Sequence, residues 1–179
     1  TRTGRTGTVE DGLFPSTYRV KWDIVGEPKV SILIPNKDHT EDLEKCLHSI
    51  WTKTEWEHFE VIVVENNSTD PATFAYYKKA QQRYDGLRVV TYPKKGFNFS
   101  GINNFGRKYA TGEYLLLLNN DVEVRSGDWL TELLRQCAHP GGAAVCGAML
   151  WYPDETIQHA GVITGLGGYA GHSHKYKKA

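Results

Sequence analysis

The chain has 179 residues, 40% of them apolar and 23% charged, with 21 basic side chains matched by 21 acidic ones. That length suits one domain with a real core and falls short of two. The zero net charge gives no basic excess to hold nucleic acid. The longest apolar runs, residues 114–118 and 143–152, are too short to cross a bilayer. No charged-then-apolar leader opens the chain, so a cytosolic protein is expected.

Three cysteines, Cys46, Cys137 and Cys146, cannot all pair within one chain and lack the paired spacing of a zinc site. Two fall on expected helix faces and one in an expected strand, so all three read as reduced core residues.

Residues 1–17 mix Gly, Thr and charge without apolar periodicity and read as a flexible leader; the domain is expected over 18–179. Residues 18–22 suit a short edge strand. The run VSILI at 30–34 is a buried strand ended by Pro35. Asp38 or Thr40 can cap a helix in which Leu43, Cys46, Leu47, Ile50 and Trp51 recur at helical spacing. A second apolar strand, 60–64, leads into a polar turn at 66–70. Ser68 and Asp70 are natural caps there, and Pro71 suits the first turn of the following helix.

A third strand is expected at 87–91, a helix from Ser100 to Ala110, and a stop at Gly112. A fourth strand at 113–118, a helix at 128–138 and a fifth strand at 143–148 follow. The glycine-rich stretch 161–171 reads as a flexible flap. Strands that are continuous apolar runs, alternating with helices, predict a mostly parallel sheet covered on both faces.

Ligands of such sheets bind beyond the carboxyl ends of the strands. There the chain places Pro35, Asn36, Lys37 and Asp38, then Glu65, Asn66 and Asn67, then Lys94 and Lys95, and finally Asn119, Asn120 and Asp121. No glycine lies between Pro35 and Thr40, which argues against a dinucleotide enzyme. The chain also has no GxxxxGK[ST] loop and no GxSxG elbow.

VSILIPNKD, VIVVENNSTD, FNFSGINNFGRKYATGEYLLLLNNDVEV and TIQHAGVITGLGGYAGHSHK together resemble family-two glycosyltransferases of bacterial surface-polysaccharide synthesis, rhamnosyltransferases among them. The resemblance implies an α/β fold of GT-A type, a Rossmann-like three-layer sandwich around a mostly parallel central sheet. It implies inverting transfer of a hexosyl group from a nucleoside diphosphate sugar, UDP- or dTDP-linked, to a glycan or lipid-linked glycan. Such a protein works in the cytoplasm, at or near the inner face of the membrane.

The same resemblance assigns nucleotide-sugar binding to Pro35, Asn36, Lys37, Asp38, Glu65, Asn66, Asn67, Asn104 and Asn120. It leaves open whether Glu65 or Asn66 reads the base. Asn103-Asn104 stands where an arginine-asparagine pair is usual, so the diphosphate contact is lost or passes to Lys94 or Lys95. Asn119-Asn120-Asp121 occupies the position of the DXD motif, with Asp121 as metal ligand, Asn119 beside it and Glu123 as helper. The ion implied is Mg²⁺ or Mn²⁺, a hard cation that takes oxygen ligands and neutralises a departing diphosphate. The catalytic base is expected beyond Ala179, so none is named.

Plainer readings compete. Asn-Asn-Asp after a strand is also a good turn, and Lys94-Lys95 is also an ordinary solvated pair. His159, His172 and His174 lie in glycine-rich surroundings that favour a structural or substrate-side role over metal. Trp51, Trp129 and Trp151 suit packing or sugar stacking. A non-catalytic nucleotide- or protein-binding module is the rival from another class. A sugar nucleotidyltransferase is expected to carry a glycine-rich loop with arginine after the first strand, which 35–40 does not supply.

Overall fold

The computed structural model describes residues 4–178. They divide into two compact units, one of Ile24–Glu132 and one built from the residues before 24 and after 132.

The first unit holds a four-stranded sheet. Its strands are β3 (Val30–Asn36), β4 (Phe59–Glu65), β5 (Leu87–Thr91) and β6 (Tyr114–Leu117), in the order β5-β4-β3-β6. All three pairings are parallel; β3 meets β4 from Val30↔Phe59 to Asn36↔Glu65 and meets β6 from Val30↔Tyr114. Ile32, Leu33, Ile34 and Val61 to Val64 are fully buried, as β-branched runs are in a sheet covered on both faces.

Helix α1 (Thr40–Lys53) buries Leu43, Cys46, Leu47 and Ile50, the face its spacing predicts. Its N-cap is His39, without a side-chain cap, rather than Asp38 or Thr40. Helix α2 (Pro71–Arg83) has Pro71 in its first turn, and Asp70 caps it by accepting the Ala72 N–H at 2.8 Å. The helix expected from Ser100 to Ala110 is α3 (Phe99–Gly106), capped by Asn98, followed by one 3₁₀ turn.

Ile102 packs with Leu33, Ile62, Val64 and Tyr92, and Phe105 lies against this cluster. The approach is so close that a Cβ on Gly106 would lie 2.6 Å from Val64 Cγ2.

At the amino ends of β3 and β4, Glu60 is buried and accepts from Ser31 Oγ (2.6 Å), Thr111 N (2.7 Å) and Arg88 Nη2 (2.7 Å). Lys29 Nζ adds a longer contact at 3.3 Å. One carboxylate thus ties β3, β4, β5 and the entry to β6 together.

In the second unit, β1 (Gly7–Asp11) and β2 (Tyr18–Trp22) form an antiparallel hairpin. The expected loose leader therefore contains a strand; its residues 1–3 lie outside the described residues. Exposure along both faces explains why no apolar alternation announces it. Helix α4 (Trp129–Cys137) precedes the segment 143–148, which is not a strand. An apolar run becomes a strand only where a ladder partner meets it, and Val145 is instead 88% exposed. The remaining strands are β7 (Leu150–Trp151), β8 (Ile157–His159), β9 (Val162–Thr164) and β10 (Ala170–His172), with β7 paired to β8 and β9 to β10. The expected glycine-rich flap is this last ribbon.

Cys46 is buried, Cys137 and Cys146 are half-buried, and all three are free thiols. Cys146 lies in the segment that forms no strand, so its core position is not realised.

Candidate functional site

The chain leaves β3 to build β4 and β5 on one side, then returns to place β6 on the other. That reversal opens a crevice above the β3 and β6 ends, where parallel α/β sheets take ligands. A cavity of about 250 Å³ lies there, lined by Pro35, Asn36, Lys37, His39, Asn66, Phe97, Ile102 and Asn120.

The amides in this cavity are oriented by backbone carbonyls, which can only accept. Asn36 Nδ2 donates to Asp38 O at 2.9 Å and to Tyr77 OH at 2.8 Å, so its Oδ1 must be the acceptor for Asn120 Nδ2 at 2.7 Å. Asn67 Nδ2 donates to Lys94 O and to Asn66 Oδ1, each at 2.9 Å. Two polar atoms then have no partner among the described residues: the donor Asn66 Nδ2 and the acceptor Asn120 Oδ1. Both residues line the cavity, which offers a neutral, pre-oriented donor and acceptor.

Glu65 and Asn66 part company. The Glu65 carboxylate is 2% exposed and accepts from Ser68 N (2.8 Å), Ser68 Oγ (2.5 Å) and Tyr77 OH (3.2 Å). Burial pushes the Tyr77 phenol up to about 12, so it remains a donor. Glu65 is thereby committed to the loop, while Asn66 faces the cavity.

Asp38 is likewise committed. Its carboxylate accepts the Asp70 and Thr69 backbone N–H groups at 2.9 and 2.8 Å, which hold it below the usual carboxylate range. Asp38 and His39 both adopt left-handed φ values, 52° and 48°, a region uncommon for non-glycine residues that Asp and His enter more readily than most. These bonds pin the loop in that conformation beside the cavity. Asn67, at φ 59°, is of the residue type that tolerates this region best.

Asn104 is exposed on α3 and does not line the cavity. Its neighbour Asn103 is buried, with Nδ2 bonded to Phe99 O at 2.9 Å. Phe97 and His39 line the cavity without having been singled out in the sequence. An aromatic directly after Gly96 in an otherwise polar loop was the available signal for Phe97. It is 76% exposed.

Asn119 and Asp121 are exposed on the turn that places Asn120 inward. Asp121 makes no hydrogen bond or ion pair among the described residues. Its charge is felt by Cys46, whose thiol is pushed up to about 12 by burial first and by Asp121 next. No cluster of three or more His, Cys, Asp or Glu suited to a metal occurs among the described residues. An uncompensated carboxylate with open surroundings does fit a hard cation that arrives with a diphosphate, because such ions take one or two carboxylates and complete their shell with phosphate and water.

The sheet and its switch-point crevice define an α/β domain of GT-A type. Its fold is similar to that of the mannosyltransferase PcManGT from Pyrobaculum calidifontis, solved with GDP-Man and Mn²⁺: TM-score 0.55, 21% identity, covering 64% of this chain and 34% of that one. The sequence model of Glycosyl transferase family 2 matches residues 31–173, and the chain belongs to that family. It is 45% identical over 158 residues to the O-antigen biosynthesis protein RfbC of Myxococcus xanthus, covering 88% of this chain and 12% of the relative. To the uncharacterised protein y4gI of Sinorhizobium fredii it is 41% identical over 172 residues, covering 96% of this chain and 19% of the relative. The chain thus spans less than a fifth of the length of either relative.

Proposed function

We propose that Ile24–Glu132 is the donor-binding part of an inverting glycosyltransferase that moves a hexosyl group from a nucleoside diphosphate sugar to a glycan or lipid-linked glycan. The observation that carries this reading is the crevice above β3 and β6, with Asn66 Nδ2 and Asn120 Oδ1 unpaired inside it and Asp121 on the adjoining turn. Family membership supports sugar transfer, and the likeness to an O-antigen biosynthesis protein supports a surface-polysaccharide acceptor.

In this reading Pro35, Asn36, Asn66 and Asn120 surround the nucleoside, and Glu65, Asp38 and Asn67 hold the two loops that present them. Lys37, Lys94 and Lys95 supply positive charge to the diphosphate, and Asn104, exposed on α3 outside the cavity lining, keeps only the nucleotide-sugar role that the resemblance gives it. Asp121, with Asn119, would hold Mg²⁺ or Mn²⁺, which would neutralise the leaving diphosphate. Inversion also needs a carboxylate to take the acceptor's proton, and we assign that role to none of the described residues. Among the described residues no helix is long and apolar enough to cross a membrane. We place donor use in the cytoplasm, at the inner membrane face.

Calorimetric titration with UDP and dTDP, with and without Mn²⁺, tests the assignment. Asn66→Ala should weaken binding by about 1–3 kcal/mol, the cost of a lost buried hydrogen bond. Asp121→Ala should remove only the Mn²⁺-dependent part. Nucleotide affinity unchanged in Asn66→Ala, or an Mn²⁺ effect that survives in Asp121→Ala, would overturn the corresponding role.

A further inference from the structure

His159 and His172 stand outside the donor crevice: neither lines it. They are thirteen residues apart, yet their Nδ1 atoms lie 3.0 Å from each other, with ring planes at 84°. The intervening residues form the β9–β10 ribbon, whose return brings His172 back beside His159. Gly165, Gly167 and Gly168 all have positive φ and make that return possible.

Both backbones are held in ladders. His159 pairs with Leu150 across β7–β8, and Ile157, two residues earlier, bonds to Lys177 O (2.8 Å) and Tyr176 N (2.8 Å). His172 pairs with Val162, and Ser173 N donates to Gly161 O at 2.9 Å. The imidazoles therefore meet at a point fixed from both sides.

We propose that His159 and His172 form a two-ligand site for a borderline transition-metal ion of the Zn²⁺, Ni²⁺ or Cu²⁺ class, bound through both Nδ1 atoms. Imidazole nitrogens bind such ions at about 2.0–2.1 Å, so two of them on one tetrahedral ion lie about 3.3 Å apart. The pair needs to open by only a few tenths of an ångström. As the site stands, one Nδ1 must carry a proton for the other to accept. That ring shifts its proton to Nε2, so both Nδ1 lone pairs face the ion without any net proton release. His172 is exposed and His159 half-buried, which leaves an approach for the ion and room for water or another ligand at its remaining positions. The ion class differs from that expected at Asp121, because Mg²⁺ and Mn²⁺ prefer oxygen donors and bind imidazole more weakly than Zn²⁺, Ni²⁺ or Cu²⁺ do.

The ion would cross-link β8 to β10 and fasten the ribbon. The test uses the full 179-residue chain, free of nucleotide, titrated with Zn²⁺ and Ni²⁺ by calorimetry and by ¹⁵N NMR of the histidine rings. Expected are one equivalent bound, Nδ1 shifts confined to His159 and His172, and a higher Tm with metal. His159→Ala and His172→Ala should each weaken binding at least about tenfold, while His174→Ala should leave it unchanged. Circular dichroism of each variant separates loss of the site from loss of the fold. Binding that persists in His159→Ala/His172→Ala, ligation through Nε2, or no binding at millimolar metal would each overturn the site.

Discussion

Glu60 and Glu65 sit at opposite ends of β4, both buried, and each holds several elements through one carboxylate. For Glu60, burial pushes the pKa up, but hydrogen bonds from Ser31 and Thr111 and the Arg88 charge outweigh it, and the net value is about 2 against an ordinary 4.5. A depressed folded-state value means that the unfolded chain takes up the proton first on acidification. Stability from Glu60 is therefore complete above pH 4.5 and lost as pH falls towards about 2. Glu60→Gln should lower stability at neutral pH, on the order of 3 kcal/mol, because Thr111 N and Arg88 lose a charged acceptor. It should also flatten the acid limb of that window. Urea denaturation of both proteins across the window measures the difference. An unchanged acid limb would mean that other carboxylates control it. Nothing in the sequence marks Glu60, since its partners Ser31, Arg88 and Thr111 come from three distant segments. The ambiguity between Glu65 and Asn66 yields only to the folded loop, where Ser68 and Tyr77 both turn towards the Glu65 carboxylate.

At the scale of elements, strands β3 to β6 and helices α1 to α3 were legible wherever burial imposes a period. Residues 87–91 match β5, and the apolar face of α1 falls where its spacing puts it. Caps were less legible, because they depend on loop conformation: Asp38 looks like a cap for α1 yet its carboxylate serves the backbone before α2. The segment 143–148 failed for a different reason. Apolar composition reports a wish for burial, not a pairing partner. Glycines gave the opposite lesson, since Gly106 lies in α3 where alanine is the better helix former. Gly106→Ala should nevertheless destabilise the protein. The added methyl meets Val64 Cγ2 at 2.6 Å and overpacks a filled interface, at about 1–3 kcal/mol. A Tm equal to or above that of the wild type would show that α3 can move away from β4 at no cost.

For the whole molecule, the sequence pointed to the parallel sheet and the rim of polar residues, but not to which rim residues meet. The Asn36–Asn120 contact spans 84 positions and exists only because β6 lies beside β3. The parting of the chain into two units was not legible either, for residues before 24 and after 132 join through contacts that no local pattern encodes.

Strand β6 is the sheet's outer member on its side, four residues long, with Leu115 and Leu117 each roughly half exposed. Short, half-covered edge strands open locally at lower free energy than the core does. The amides of β6 should therefore exchange with deuterium well before those of β3 and β4. A nucleotide seated against Asn36 and Asn120 touches both sides of the seam, so it must slow exchange in β6 more than anywhere else in the sheet. Uniform protection, or protection confined to β4 and β5, would show that the ligand sits elsewhere. One wall of the crevice is thus an edge strand, so a nucleotide held there would tie its occupancy to the closure of that side of the sheet.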